Sequence, residues 1–311
     1  MKTHTLETAI TKVHEQSANN YDDLVAVQDL HFDSLEQMDI SGQSFSVLPS
    51  AQRLLANRLR VPFSYLKRCP QELQSRNLNY WIEQEARNRQ SLFCRFNGQA
   101  LRGVFTERYT AIDHMEVLTK MLEYGFDPGG EVHLSLDAEI MVLKVPEYGQ
   151  QFQLSEKDKI VPGISIANSE VGILALSIEA FYYRLVCTNG LIAKTAVGAR
   201  YKHISRRVID EFPIILQGVV SQSRHGRDRF VLSTQTPVDD PMLAIETFAR
   251  QFQISQEETG IIKQAFYLEE GATMFHIIQA FTRAAQDKSL TSSDAYRLER
   301  AGGHLLGMVK S

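Results

Sequence analysis

Two basic runs interleaved with aromatic rings hold the residues of this chain best suited to chemistry. In FYYRLVCTNG (Phe181–Gly190), Tyr182 and Arg184 alternate with Phe181, Tyr183 and Leu185. On a strand the first two would share one face and the other three the opposite, core-facing one. Arg200, Tyr201, Lys202 and His203 follow, then Arg206 and Arg207 at the start of an expected helix that has Arg224, Arg227 and Arg229 near its end. Upstream, SLFCRF and QALRGVFTERY flank Asn97-Gly98, a pair that favours a type I′ hairpin turn. Such a turn pairs Phe96 with Gln99, Cys94 with Leu101 and Phe93 with Arg102. It places Leu92, Cys94, Phe96, Leu101 and Phe105 on an apolar face, and Arg95, Arg102, Thr106 and Arg108 on a basic one. Cations tracking phosphates beside rings that stack on bases hold single strands without sequence preference. The candidate phosphate contacts are therefore Arg95, Arg102, Arg108, Arg184, Arg200, Lys202, Arg206 and Arg207. Tyr109, Tyr182 and Tyr201 are the stacking candidates, with His203 inside the same basic knot.

Charge is segregated along the chain although the net is only −4. Residues 53–109 hold 11 Lys/Arg against 4 Asp/Glu, and residues 181–230 hold 9 against 3. The stretches 1–52, 110–180 and 231–311 are acidic. Two outcomes are open. Either the basic segments meet on one surface as a polyanion site, or the acidic segments neutralise them internally.

Other chemistries find less support. Gly190 to Thr195 has the end of a phosphate-binding loop in outline, but Ala193 stands where the glycine before the lysine is required. No histidine or cysteine spacing fits a metal site, and no cofactor is expected. Cys187, at a strand end, is the one candidate nucleophile, with His203 as a conceivable activator. Its alternation with Phe181, Tyr183 and Leu185 favours a buried thiol instead. Three cysteines without a CxxC pair, and no run of about 18 apolar residues, lead to the expectation of a cytoplasmic protein without disulfides or membrane spans.

These residues need elements to position them. The pattern from Ser50 to about Arg89 is helical, with Pro62 and Pro70 each reopening a helix. Asp113 is a plausible cap for a helix over 114–124 closed by Gly125. Extended runs are expected near 131–145, 150–168 and 171–187. Beyond Pro237 the chain reads as helices opened by Asp240-Pro241, by a Ser255/Glu258 capping box and by Ser292/Ser293. The expectation is an α+β fold: a central antiparallel sheet or partly open barrel, a helical lead-in and a helical C-terminal cap. Its divisions are a partly ordered segment 1–49, a core domain 50–235 and a helical subdomain 236–311.

The elements SAQRLLANRLRVPFSYLKRCP, LRGVFTERYTAIDH, GISIANSEVG, FYYRLVCTNGLI, the basic segment ending HISRR and AYRLERAGGHLLG resemble, from about Ser50 to the C-terminus, the family catalogued as domain of unknown function 932. That family occurs in phage, plasmid and prophage genes and lends no catalytic residue. The resemblance implies a mobile-element context, where accessory proteins handle DNA intermediates or counter host defence. A hairpin-plus-helix core with basic strands is also similar to single-strand annealing proteins, which form rings. The functional expectation is a non-enzymatic nucleic-acid-binding protein favouring single-stranded DNA, with a ring homo-oligomer as a further possibility. The alternatives are a host-factor-binding module working through its acidic segments, and a cysteine-dependent enzyme.

Overall fold

The computed structural model describes residues 2–156, 158–185, 189–193, 199–201, 211–223, 226–269 and 271–309. β1 (Lys2–Thr5) runs into α1 (Leu6–Ser17), where the Thr5 hydroxyl accepts from the Thr8 amide and caps the first turn. β2 (Asn20–Ala26), β3 (Leu30–Phe32), β4 (Gln37–Ile40) and β5 (Gln43–Val47) follow. The segment 1–49, expected to be only partly ordered, thus supplies strands to both sheets. The helical lead-in is α2 (Pro49–Arg58), α3 (Phe63–Leu66) and α4 (Gln71–Ala86), with Pro62 and Pro70 immediately ahead of the last two. Then come β6 (Ser91–Asn97), β7 (Ala100–Phe105), α5 (His114–Glu123), β8 (Glu131–Leu136), β9 (Met141–Pro146), β10 (Phe152–Gln153), β11 (Lys159–Asn168), β12 (Leu176–Arg184), β13 (Asn189–Ala193) and β14 (Ala199–Tyr201). The described remainder is helical: α6 (Phe212–Ser223), α7 (Arg227–Gln235), α8 (Pro241–Gln251), α9 (Gln256–Phe266), α10 (Met274–Ala284) and α11 (Ser292–Met308). The caps at Asp240 and Ser255 form as the sequence predicts, whereas α11 is capped by Thr291 rather than by either serine. Among the described residues no helix is long and apolar enough to cross a membrane.

The fold is α+β, its strands divided between two open sheets. One has the order β1-β8-β9-β11-β12-β13, with β10 against β11 and β14 against β12; the other runs β2-β6-β7-β5-β4-β3. Only β5 and β7 pair in parallel among the described strands. The larger core lies between the first sheet and α1, α5 and the C-terminal helices. The second lies between the second sheet and α2–α4.

Both faces of the first sheet are covered, and this reverses one expectation. Tyr182 points into the larger core with Ile178 and Ala180, its ring edge-on to Phe230 at 5.2 Å. Gly226 leaves room for its hydroxyl, since a Cβ there would sit 2.2 Å from that oxygen. The opposite face carries Phe181 and Tyr183 beneath α11. It also carries a polar row in register, His133, Lys144, Ser165 and Glu179, on four neighbouring strands.

The β6–β7 hairpin forms with a different register from the predicted one. Asn97 pairs with Ala100 and Phe96 with Leu101, so the loop is Gly98-Gln99. Gly98 takes φ +53° while Gln99 stays out of the left-handed region, and a type I′ turn needs both residues there. The ladder then shifts, because Arg95 faces Gly103 and Arg102 is the extra residue of a bulge. An inserted residue reverses alternation beyond it. Val104 therefore joins Leu92, Cys94, Phe96 and Leu101 in the core, and Phe105 turns to the other side.

Candidate nucleic-acid interface

Arg95 and Arg102, on the hairpin's supposed outer face, point into the seam between the two sheets. Arg95 donates to Asp22 at 2.8 Å, to Asp113 and to the Glu170 carbonyl at 3.0 Å. Arg102 donates to the Glu170 carboxylate at 3.0 Å. Both arginines are buried. Glu170, in the turn after β11, also accepts from the His114 amide at 2.8 Å and from Asn20 at 3.4 Å. Asp113 precedes α5 as predicted, but its side chain makes no cap hydrogen bond; Glu170 satisfies the helix end instead.

The electrostatics follow from this geometry. Burial opposes ionisation of Glu170, yet His114, Arg102 and Arg95 together outweigh it and hold the carboxyl below its usual range. Burial likewise opposes the Arg95 charge, but its hydrogen bond to Asp22 and the neighbouring Asp113 carboxylate raise its basicity. His114 is pushed down, chiefly by burial. Tyr109 donates to the Glu170 carbonyl at 3.2 Å and stacks on Phe105 at 3.8 Å between centroids. Its ring is committed within the seam.

Arg184 is engaged in the same manner elsewhere. It donates to Asp158 at 2.6 Å and to Glu269 at 2.8 Å, with its guanidinium 5.1 Å from the Phe275 ring centre. Arg95, Arg102 and Arg184, then, are neutralised internally by the acidic segments: the first two are buried, the third is partly buried, and each has a carboxylate at hand. Tyr182 is interior. Arg108 is exposed, as are Arg227 and Arg229 on α7. Arg200 and Tyr201 lie on β14, paired with Ser177 and Leu176, and their side chains are outside the described set. Lys202, His203, Arg206, Arg207 and Cys187 lie outside the described residues.

Sequence reasoning passed over a second basic-aromatic surface, on α3 and α4. Leu78 and Ile82 anchor α4 in the second core. Ser75 and Asn79 donate to the Phe32 carbonyl at 2.7 and 2.9 Å, and the Phe32 amide donates back to Asn79 at 2.7 Å. With that face committed, Leu73, Arg76, Tyr80, Trp81 and Arg87 are turned to solvent. Tyr80 is 55% exposed and Trp81 43%, the two rings edge to face at 5.1 Å. Tyr65, Lys67 and Arg68 are exposed immediately before α4. Arg76 pairs with Glu72 one turn back, an exposed contact worth at most about 1 kcal/mol and readily exchanged for another anion. The signal was available: positions 73, 76, 80 and 87 recur at helix spacing inside the more basic of the two segments.

Among the described residues, no group of three or more His, Cys, Asp or Glu side chains stands close enough to hold a metal ion. No curated protein and no solved structure matches the chain. The stretch that runs from Arg102 of the seam through His114 and Glu170 to Glu211 does match a family model, that of the Domain of unknown function (DUF932), over residues 102–211.

Proposed function

We propose that the protein binds nucleic acid, favouring single strands, through the exposed face of α3–α4 together with Arg108, and that it serves a phage or plasmid element. One observation carries this reading. Tyr80 and Trp81 stand exposed on α4 between Arg76 and the C-cap residue Arg87, with Glu72 and Glu83 exposed along the same stretch. Stacking contributes roughly 1–3 kcal/mol per base and tolerates any sequence, and cations beside the rings supply the phosphate contacts. The three neutralised arginines are no part of this surface: Arg95 and Arg102 join the two sheets, and Arg184 ties β12 to Asp158 ahead of β11 and to Glu269 after α9. The segment 202–207 remains a second candidate contact, on composition alone.

Trp81 is the only tryptophan of the chain, so intrinsic fluorescence reports on this face directly. Titration with oligothymidylate at low salt should quench Trp81 emission, and fluorescence anisotropy of a labelled strand should give the same affinity. The triple change Arg68→Glu, Arg76→Glu and Arg87→Glu should weaken binding to all sequences alike. Absence of binding to single and double strands at low salt overturns the reading. In that case, nuclease-insensitive capture of one stoichiometric host protein would favour the interaction-module alternative.

A further inference from the structure

The face of the first sheet beneath α11 holds a site that the nucleic-acid reading does not use. A cavity of about 340 Å³ opens there, lined by Lys144, Glu299, His133, Phe181, Tyr183 and Ala295 among others. That volume falls at the small end of the range occupied by ligand pockets, about 300–1,000 Å³. Lys144 is 1% exposed, and its Nζ forms a hydrogen-bonded ion pair with Glu299, itself 6% exposed. The same nitrogen lies 5.2 Å from the centre of the Phe181 ring. An ammonium has three protons to donate, and here one carboxylate receives them. His133, the cross-strand neighbour of Lys144, packs edge-on against Tyr183 at 4.7 Å. Its Nε2 is buried 3.4 Å from the Glu131 carboxylate.

A fully buried ion pair is an expensive way to fasten a helix, and well-packed apolar residues serve that purpose as well or better. The pair makes chemical sense in another role. Burial drives Lys144 down and Glu299 up, and their mutual attraction opposes both movements. A lysine whose basicity burial lowers, beside a carboxyl that can hold and return a proton and walled by aromatic rings, is the equipment of a nucleophilic amine.

We propose that this cavity is a carbonyl site, in which Lys144 condenses reversibly with a small aldehyde or ketone held against Phe181 and Tyr183. The Lys144 Nζ lone pair attacks the carbonyl carbon and forms the C–N bond. Glu299 gives its proton to the carbonyl oxygen and takes one from the nitrogen, leaving a neutral carbinolamine. Glu299 then protonates the hydroxyl, which leaves as water, and recovers the remaining nitrogen proton as the C=N bond forms. One carbonyl compound and one amine yield one imine and one water, with no oxidant or reductant. His133, on the strand beside Lys144, lines the same space.

The test is reductive trapping of the full chain. Protein at pH 6.5 is incubated with substoichiometric propanal or benzaldehyde and cyanoborohydride, and alkylated peptides are quantified by mass spectrometry. Lys144 should be modified at least about tenfold faster than the exposed Lys67 and Lys288, because only a deprotonated amine attacks. Ala295→Phe, which fills the cavity and leaves the ion pair in place, should abolish that preference while the circular dichroism spectrum is retained. Lys144→Met should remove it as well. Modification of Lys144 no faster than of Lys67 in the folded wild type overturns the proposal and leaves the pair a structural clamp. Neither result bears on Trp81 quenching, so this site and the nucleic-acid surface stand or fall separately.

Discussion

Arg102 of β7 and Glu170 of the β11–β12 turn meet at 3.0 Å in the seam between the two sheets, both nearly excluded from water. Each comes from a different sheet's connectivity, and each leans on further partners: Asn20, Arg95 and His114 also reach Glu170. The contact therefore links the two halves of the fold and closes one helix end at once.

Removing the acid should be costly. Glu170→Gln leaves Arg102 a buried cation without a counter-charge, a change that typically destabilises by about 3–5 kcal/mol. Urea unfolding should show a lowered midpoint with an unchanged slope. A shift under about 1 kcal/mol would mean that water already reaches the seam.

The seam also sets a pH response. The folded-state pKa of Glu170 lies below its unfolded value, so its stabilisation is complete above the unfolded carboxylate range and is lost as pH falls through the folded one. His114, His133 and His276 are all pushed down by burial. Below about pH 6.5 the unfolded chain takes up protons that these folded histidines refuse, and stability again falls with pH. The melting temperature should drop steadily from pH 7.5 to pH 5. A His114→Gln variant should show a shallower drop; an equal one would mean that His114 takes no part in the response.

Gly163 of the GISIAN block should tolerate no side chain. A Cβ there would lie 2.2 Å from the Val145 carbonyl oxygen of the adjacent strand, which is backbone and cannot swing aside. Gly163→Ala should destabilise by about 1–3 kcal/mol or more through overpacking. Thermal unfolding that matches the wild type would show that β9 and β11 can separate locally.

Thiol chemistry separates the two described cysteines. Cys94 is buried in the second core, and desolvation pushes its thiol up to about 12, with Asp23 contributing. Cys69 is partly exposed. Alkylation of native protein at pH 8 should label Cys69 promptly and Cys94 only on the timescale of unfolding, as read by peptide mass spectrometry. Comparable rates would indicate frequent opening of the second sheet.

Charge changes at the two classes of arginine should diverge. Neutralising Arg76 or Arg87 should lower the log–log salt slope of single-strand binding by about 0.7 for each phosphate left without its cation, with little effect on melting. Arg95→Gln and Arg184→Gln should do the reverse, lowering stability while the slope holds. Equal effects on the slope from both classes would return the interface to the hairpin.

How far the sequence disclosed all this depends on the range of the interactions involved. Helix ends were legible because caps are local: Asp240, Ser255 and Gly125 act within a few residues of themselves. Strand existence was legible from β-branched and aromatic runs. The buried arginines were not, because alternation says which side a residue takes and not what covers that side. Asp22 and Glu170 are 73 and 68 positions away from Arg95 and Arg102 respectively. The bulge at Arg102 likewise left no mark in composition, and it exchanges Val104 for Phe105 in the core. The α4 face was readable only at helix spacing, its cations spread over more than one turn, whereas 200–207 gathers Arg200, Lys202, Arg206 and Arg207 in one short run.

The pairing of β1 with β8, Lys2 against Leu134 through Thr5 against Glu131, has a bearing on how the molecule is made. A ribosome delivers the first strand long before its mate exists, so this edge must idle while the second sheet and its helices assemble around it. Such distant closure is slow. Until β8 emerges, the backbone of this edge is open to a wrong neighbour.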